Sequence, residues 1–253
     1  MRLRSNRRHN RITARRSAGE LRGLFVTGTD TGVGKTIVAS AIAASLAERG
    51  ERVAVLKPAV TGLDSTEGPL PDHELLVASA RSGQSADEVA PYRFDPPVSP
   101  HLAAELAHVP IEPGRILAGA ARAAARADAL IVEGVGGLMV PLSARYLVRD
   151  LAADLGLPLL IVARPGLGTI NHSLLTLEAA RAAGIDVAGV VLTPWPEKPT
   201  EMERSNLETI SALGRTPVHT LGELYTGPPI SSVGDLPLDA WLPRLKRPEP
   251  ALA

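Results

Sequence analysis

The sequence predicts one doubly wound α/β domain, a mostly parallel sheet with helices on both faces, and three observations predict it. The stretch from 24 to 58 reads strand, glycine-rich loop, helix, strand, which is the sequence form of a βαβ unit. Helical and strand patterns then alternate from about 114 to 222. The strand segments are continuous apolar runs rather than alternating ones, as in a parallel sheet covered on both faces.

Taken in order, "LFVTG" (24–28) is an apolar strand that ends on a glycine. An alanine-rich helix follows from about Lys35 to Glu48, and Gly50 ends it. "RVAVLKP" (52–58) is the next strand, stopped by Pro58. A Pro- and Gly-rich stretch (62–71) leads to a helix near 72–82 and to the irregular segment "PYRFDPPVSPH" (91–101). A helix at about 114–127 then precedes the strand "ALIVEG" (129–134), and a helix near 147–155 precedes "LPLLIVA" (157–163). A helix near 170–183 precedes "DVAGVVL" (186–192), and one near 199–213 precedes "TPVHTLG" (216–222). The domain therefore spans about 23–225. Residues 226–253 are Pro-rich, with one short helix expected near 238–245, and pack on the domain or trail from it.

Composition narrows the functions. The chain has no cysteine, which excludes disulfides, thiolate metal sites and a Cys nucleophile. Residues 1–22 hold eight arginines and one acid, which leaves 19 basic and 26 acidic residues in the remainder. An acidic body argues against a nucleic-acid partner. No apolar run approaches the roughly 18 residues of a membrane span, so no membrane partner is expected. The Arg-rich tail 1–22 lacks the apolar segment of a secretory signal. Its sparse acids fit a transit peptide, but its low apolar content favours a disordered tail or an overextended start site, and a cytoplasmic protein is expected.

Five stretches carry chemistry. "GTDTGVGKT" (28–36) joins the first strand to the first helix and resembles the phosphate loop G-x-x-x-x-G-K-[ST] with one extra residue. Such a loop aims backbone N–H groups and a helix N-terminus at phosphate. Gly32, Val33, Gly34, Lys35, Thr36 and Ile37 are the expected nucleotide contacts, with Lys35 on the outer phosphates and the Thr36 hydroxyl on Mg²⁺. The fold class is thus that of the phosphate-loop (P-loop) nucleoside triphosphatases. In "LIVEGVGG" (130–137), Glu133 ends a strand beside that loop and is a candidate Mg²⁺ ligand. Gly134, Gly136 and Gly137 let the backbone approach phosphate or substrate, and Gly134, Val135 and Gly136 are expected nucleotide contacts. In "VLKPAVTG" (55–62), Lys57 lies at the same sheet edge, either as a cation for phosphoryl transfer or as a surface lysine. Thr61 can hydrogen-bond a substrate.

In "PLPDHELL" (69–76), Asp72 reads first as a helix N-cap and second as a metal ligand. In "GLGTINHSLLT" (166–176), an exposed helix N-terminus can hold a carboxylate, with Thr169 as its contact or as a plain N-cap. His172 is a candidate base or a surface histidine.

Together with "PPVSPHLAAE" (96–105), these stretches resemble the ATP-dependent dethiobiotin synthetases over about 25–225, in the order of that family. The family's phosphate loop has this longer spacing. The resemblance implies an ATP- and Mg²⁺-dependent cyclo-ligase acting on CO₂ (or bicarbonate) and 7,8-diaminononanoate in biotin synthesis. One amine captures CO₂ as a carbamate, the carbamate takes the γ-phosphoryl group, and the second amine closes the cyclic urea. Lys35 and Lys57 are the implied catalytic cations, and Thr36, Asp72 and Glu133 the implied metal shell. Thr31 and Thr61 are the implied contacts to the diamine or its carbamate. Gly168, Thr169 and Asn171 form the implied pocket for the substrate carboxylate, supplied across a homodimer. The family often has Asn-Asp where Thr193 and Pro194 stand here, at the nucleotide base. Neither residue copies a bidentate amide, which predicts relaxed base selectivity. Some relatives carry an acid in place of Gly32, so this loop is less negative.

The nearest rival is a partitioning or positioning ATPase switch with a macromolecular partner. Such switches use K-G-G-x-G-K-T, and aligned on GKT their first lysine falls on Asp30, an acid. Amidating relatives need a glutaminase domain with a Cys nucleophile, which this chain lacks.

Overall fold

The structure, a computed structural model, describes residues 20–64, 70–224, 230, 233 and 236–246. Its first half contains β1 (Glu20–Gly28), α1 (Lys35–Glu48), β2 (Val53–Leu56), β3 (Val60–Thr61), α2 (Asp72–Ala80), α3 (Ala86–Val89), β4 (Arg93–Phe94), α4 (Pro100–Leu106) and α5 (Pro113–Arg126). The second half contains β5 (Ala129–Gly137), β6 (Pro141–Ser143), β7 (Tyr146–Leu147), α6 (Val148–Leu155), β8 (Leu159–Ala163), α7 (Thr169–Ala182), β9 (Val187–Trp195), α8 (Glu201–Gly214), β10 (Val218–Gly222), α9 (Leu238–Trp241) and β11 (Arg244–Lys246).

Six strands form a parallel sheet in the order β10-β9-β8-β1-β5-β2, and β11 adds to β1 antiparallel. Successive residues of a strand face opposite sides, and the core divides accordingly. Phe25, Val132 and Ile161 face the layer of α5, α6, α7 and α8. Leu24, Val26, Ile131 and Val162 face α1, α2 and α9. β1 lies between β5 and β8, so the loop that leaves its carboxyl end emerges at the centre of the sheet edge.

Helix α1 is buried nearly all round, from Val38 to Leu46. A helix apolar on every side needs cover on every side, and the C-terminal segment supplies the second cover. Ile230 packs with Ala41 and Leu75, and the Val233 N–H donates to Ser45 Oγ at 3.0 Å. Trp241 is fully buried against the same layer. The described residues of the segment therefore pack on the domain.

The sheet departs from the sequence expectation at both chain ends. β1 begins at Glu20, so Glu20–Arg22 belong to the sheet rather than to the tail, whose residues 1–19 lie outside the described residues. These residues pair with β11 through backbone groups, which leaves no apolar run to read. Arg22 anchors the pairing, donating to Glu51 at 2.9 Å and to Asp239 at 2.7 Å. The helix expected near 238–245 is the single turn Leu238–Trp241, followed by the strand Arg244–Lys246. The irregular stretch 91–101 contains β4 and the start of α4, where Pro100 occupies the first turn behind Ser99, a position that tolerates proline. The strand expected at 129–134 runs on to Gly137, and that at 186–192 to Trp195.

Candidate active site

The site is built on the carboxyl edges of β1, β2 and β5. After Gly28 the chain folds back on itself. A Cβ at Gly28 would lie 2.8 Å from Val33 Cγ2 and 2.9 Å from the Asp30 carbonyl, so only glycine permits the fold-back. Gly32 (φ 68°) and Gly34 (φ 94°) take left-handed backbone, and Gly34 caps α1. The loop is fastened from within and from outside. Lys35 Nζ donates to the Asp30 carbonyl at 2.8 Å, and Arg164 Nη2 donates to the Thr31 carbonyl at 3.0 Å.

Behind the loop lies a buried charge cluster. Lys57 Nζ contacts Glu133 Oε1 at 2.5 Å and Asp72 Oδ2 at 2.7 Å. The Thr36 hydroxyl donates to Glu133 Oε1 at 2.8 Å. Lys57 and Glu133 are 3% and 0% exposed, so Lys57 is a buried cation and not a surface lysine. Burial alone would push the Lys57 ammonium down, but Asp72 and Glu133 outweigh it and hold it above the ordinary lysine range. Lys57 in turn holds the Asp72 carboxyl below its usual range. Burial pushes the Glu133 carboxyl up, even with Lys57 beside it. Lys35 has no carboxylate in contact among the described residues, and burial, aided by repulsion from Lys57, brings it down to about 8.

Asp72 does not cap α2. Pro71 takes the cap position, and Asp72 is the first helical residue with its side chain turned to Lys57. Glu133 sits in the middle of β5, paired in register with Val26, because the strand continues past the expected end. Its Oε2 is buried without a hydrogen-bond partner among the described residues. With Thr36 and Asp72 this atom makes a small set of hard oxygen donors. No group of three or more His, Cys, Asp or Glu side chains that could hold a metal occurs among the described residues. Two carboxylates and a hydroxyl suit Mg²⁺, which keeps several waters and shares phosphate oxygens instead of filling an all-protein cage.

The remaining expected contacts divide. Thr193 closes over the loop, with its Cγ2 3.1 Å from where a Cβ on Gly34 would stand, and Pro194 follows it in a cis peptide. Gly136 (φ 61°) lies beside the loop, its Cβ position 3.7 Å from Thr31 Oγ1. Gly134 turns to the other face, where a Cβ would meet Phe25 and Val148 at 3.0 and 3.1 Å. Val135 packs on the same core, while Val33 and Ile37 pack on the α1 side. Thr61 is half-buried in β3, which pairs with β4 apart from the main sheet. Gly168 (φ 91°) caps α7, so Thr169 is its first residue and not its cap. Thr169 Oγ1 is buried without a partner among the described residues, and Asn171 and His172 are exposed.

The sequence reading missed Arg164 and Asn206. Each is one polar residue whose partner lies far along the chain, and no local pattern marks it.

A glycine-rich loop whose backbone, lysine and hydroxyl lead into a helix at the carboxyl edge of a parallel sheet defines the phosphate-loop class of nucleotide-binding proteins. A family model described as an AAA domain matches residues 22–233. The ATP-dependent dethiobiotin synthetase BioD of Bacillus subtilis subsp. natto is 39% identical over 198 residues, 78% of this chain and 85% of that protein. The BioD proteins of Anaeromyxobacter dehalogenans (strain 2CP-1) and Thermodesulfovibrio yellowstonii are 46% and 41% identical, covering 68% and 77% of this chain and 76% and 85% of theirs. The chain belongs to the ATP-dependent dethiobiotin synthetase family. Among solved structures, a variant of Cyanothece McdA in complex with ATP has a TM-score of 0.51 at 14% identity, covering 81% of this chain and 85% of that one. That likeness shows the fold alone, so the rival reading as a partitioning switch is not favoured.

Proposed function

We propose that this chain catalyses the ATP-dependent closure of 7,8-diaminononanoate and CO₂ to dethiobiotin, with ADP and phosphate as the other products. The observation that carries this reading is the buried Lys57–Glu133–Asp72 cluster directly behind Gly34-Lys35-Thr36. The loop backbone and Lys35 hold the triphosphate. Thr36, Glu133 and Asp72 would hold a Mg²⁺, which would neutralise the phosphate oxygens.

In the reaction, one amine of the substrate forms an N–C bond to CO₂ and loses a proton. The resulting carbamate oxygen attacks the γ-phosphorus and ADP leaves. The second amine then attacks the carbamoyl carbon and phosphate leaves. Each step carries or develops negative charge, so the chain acts by positioning and by fixed cations. Lys57 is the cation nearest the acidic pair and serves the transferring phosphoryl group. Thr31, beside Gly136, faces the diamine or its carbamate, and Thr61 is its second contact. Gly168, Thr169 and Asn171 receive the substrate carboxylate. The exposed side chains before and along that helix, Leu167 at 94% and Leu175 at 61%, support a homodimer in which a second copy covers them. Thr193 and Pro194 at the base support use of other nucleoside triphosphates beside ATP. No helix among the described residues is long and apolar enough to cross a membrane, which fits a cytoplasmic enzyme.

Purified protein with nucleoside triphosphate, Mg²⁺ and bicarbonate is expected to release phosphate only when the diamine is added. Release that ignores the diamine would overturn the assignment.

A further inference from the structure

The turn between β8 and α7 reaches both halves of the site. Arg164 is the first residue past β8, the strand that neighbours β1. Its side chain crosses to the phosphate loop, where Nη2 donates to the Thr31 carbonyl at 3.0 Å. A Cβ on Gly32 would stand 3.8 Å from the same nitrogen, so the guanidinium lies against the Thr31–Gly32 peptide. In a trans peptide the carbonyl and the following N–H point in opposite directions. A cation that fixes the Thr31 carbonyl on one side therefore turns the Gly32 N–H to the other, and it strengthens that N–H as a donor by polarising the peptide.

The turn that carries Arg164 is itself fastened. Asn206, 7% exposed on α8, donates from Nδ2 to the Pro165 carbonyl at 2.9 Å and to the Gly166 carbonyl at 3.4 Å. Those carbonyls precede Gly168 and Thr169, the head of α7. One buried amide thus fixes a turn whose first residue grips the phosphate loop and whose last residues begin the opposite subsite.

We infer that Arg164 is a positioning residue of the phosphate loop, aligning the Gly32 N–H for a bound nucleotide, and that Asn206 acts through it. This inference rests on the reading of residues 28–36 as the nucleotide cradle. Arg164 needs no contact with nucleotide for this role. Lysine is a poor substitute, because a single ammonium lacks the planar fork that lies along a peptide.

The test is calorimetric binding of a non-hydrolysable ATP analogue with Mg²⁺ to the full chain. Arg164→Met is expected to weaken binding by about tenfold, the loss of one charge-assisted hydrogen bond. Arg164→Lys should recover part of that loss, and added methylguanidinium should restore binding to Arg164→Ala. Asn206→Leu should weaken binding by roughly three- to tenfold, and its combination with Arg164→Met should be no weaker than Arg164→Met alone, because both act on one peptide. Wild-type affinity in Arg164→Met overturns the inference. So does a loss that neither lysine nor methylguanidinium recovers, which would mark a merely structural side chain. Lys35→Ala separates the two readings. If it binds nucleotide normally, the cradle itself is misread; if it fails to bind while Arg164→Met binds normally, only the role of Arg164 falls.

Discussion

The phosphate side of the site and the head of α7 are built in opposite ways. On the phosphate side the central ion pair of Lys57 and Glu133 is enclosed. Lys57 lies within 2.7 Å of two carboxylates, Glu133 holds Lys57 and Thr36, and Lys35 rests on a loop carbonyl. At the head of α7, Leu167, Asn171 and His172 are exposed and the buried Thr169 hydroxyl has no partner among the described residues. The first half is preorganised by a single chain, as phosphoryl transfer requires. The second half offers a helix N-terminus and exposed apolar surface, which in the proposed function a second copy and a substrate tail complete.

The strongest way to break this contrast is to remove the central cation. Lys57→Met is expected to lower turnover by about 10²- to 10³-fold. The same change leaves Asp72 and Glu133 without their counter-charge, so the nucleotide-free protein should bind Mn²⁺ more tightly than the wild type, read by electron paramagnetic resonance. Wild-type turnover would show that the cluster is structural. Next, Glu133→Gln leaves the buried ammonium with Asp72 as its one carboxylate partner among the described residues and should cost about 2 kcal/mol in denaturant unfolding, the loss of one charge-assisted hydrogen bond. Adding Lys57→Met should return part of that loss, since it removes the buried ammonium that has lost one of its two carboxylates. A double variant less stable than Glu133→Gln would contradict the pairing.

On the other side of the contrast, Asn171→Ala should raise KM for the diamine about tenfold with nucleotide affinity unchanged, a loss the size of one hydrogen bond to a carboxylate. An equal loss in both affinities would mean that the two halves are not separable. The smallest effect belongs to the cover of α1. His219 packs edge-on against Trp241 with ring centroids 5.1 Å apart, and burial lowers its pKa. The unfolded chain then binds the extra proton more readily, so this contribution is full above about pH 6.5 and fades as pH falls below it. His219→Phe should flatten the fall of Tm between about pH 7 and pH 5.

Much of this contrast was legible in the sequence, and the boundary follows from physics. The phosphate loop, Lys57 and Glu133 each sit at the end of, or within, a run whose period is local, so their common sheet edge could be read. Asp72 was not legible as a partner of Lys57, because the contact joins β2 to α2 across an intervening stretch and a cap explains the same residue. Arg22, β11 and the cover of α1 depend on backbone pairing and on segments far apart in the chain, 188 residues for Ser45 and Val233 and 217 for Arg22 and Asp239. The alanine-rich, evenly apolar face of α1 was the available sign that a second cover was needed. Arg164 and Asn206 carried no sign at all, since a lone arginine and a lone asparagine acquire meaning only from the carbonyls they meet.

The central claim is that the two halves serve one ring closure. Isotopically labelled bicarbonate tests it most directly, with the product followed by carbon NMR in the presence of diamine, nucleoside triphosphate and Mg²⁺. The expected result is label in the carbonyl of a cyclic urea, one phosphate released for each ring. Phosphate released without label in a ring would contradict the claim.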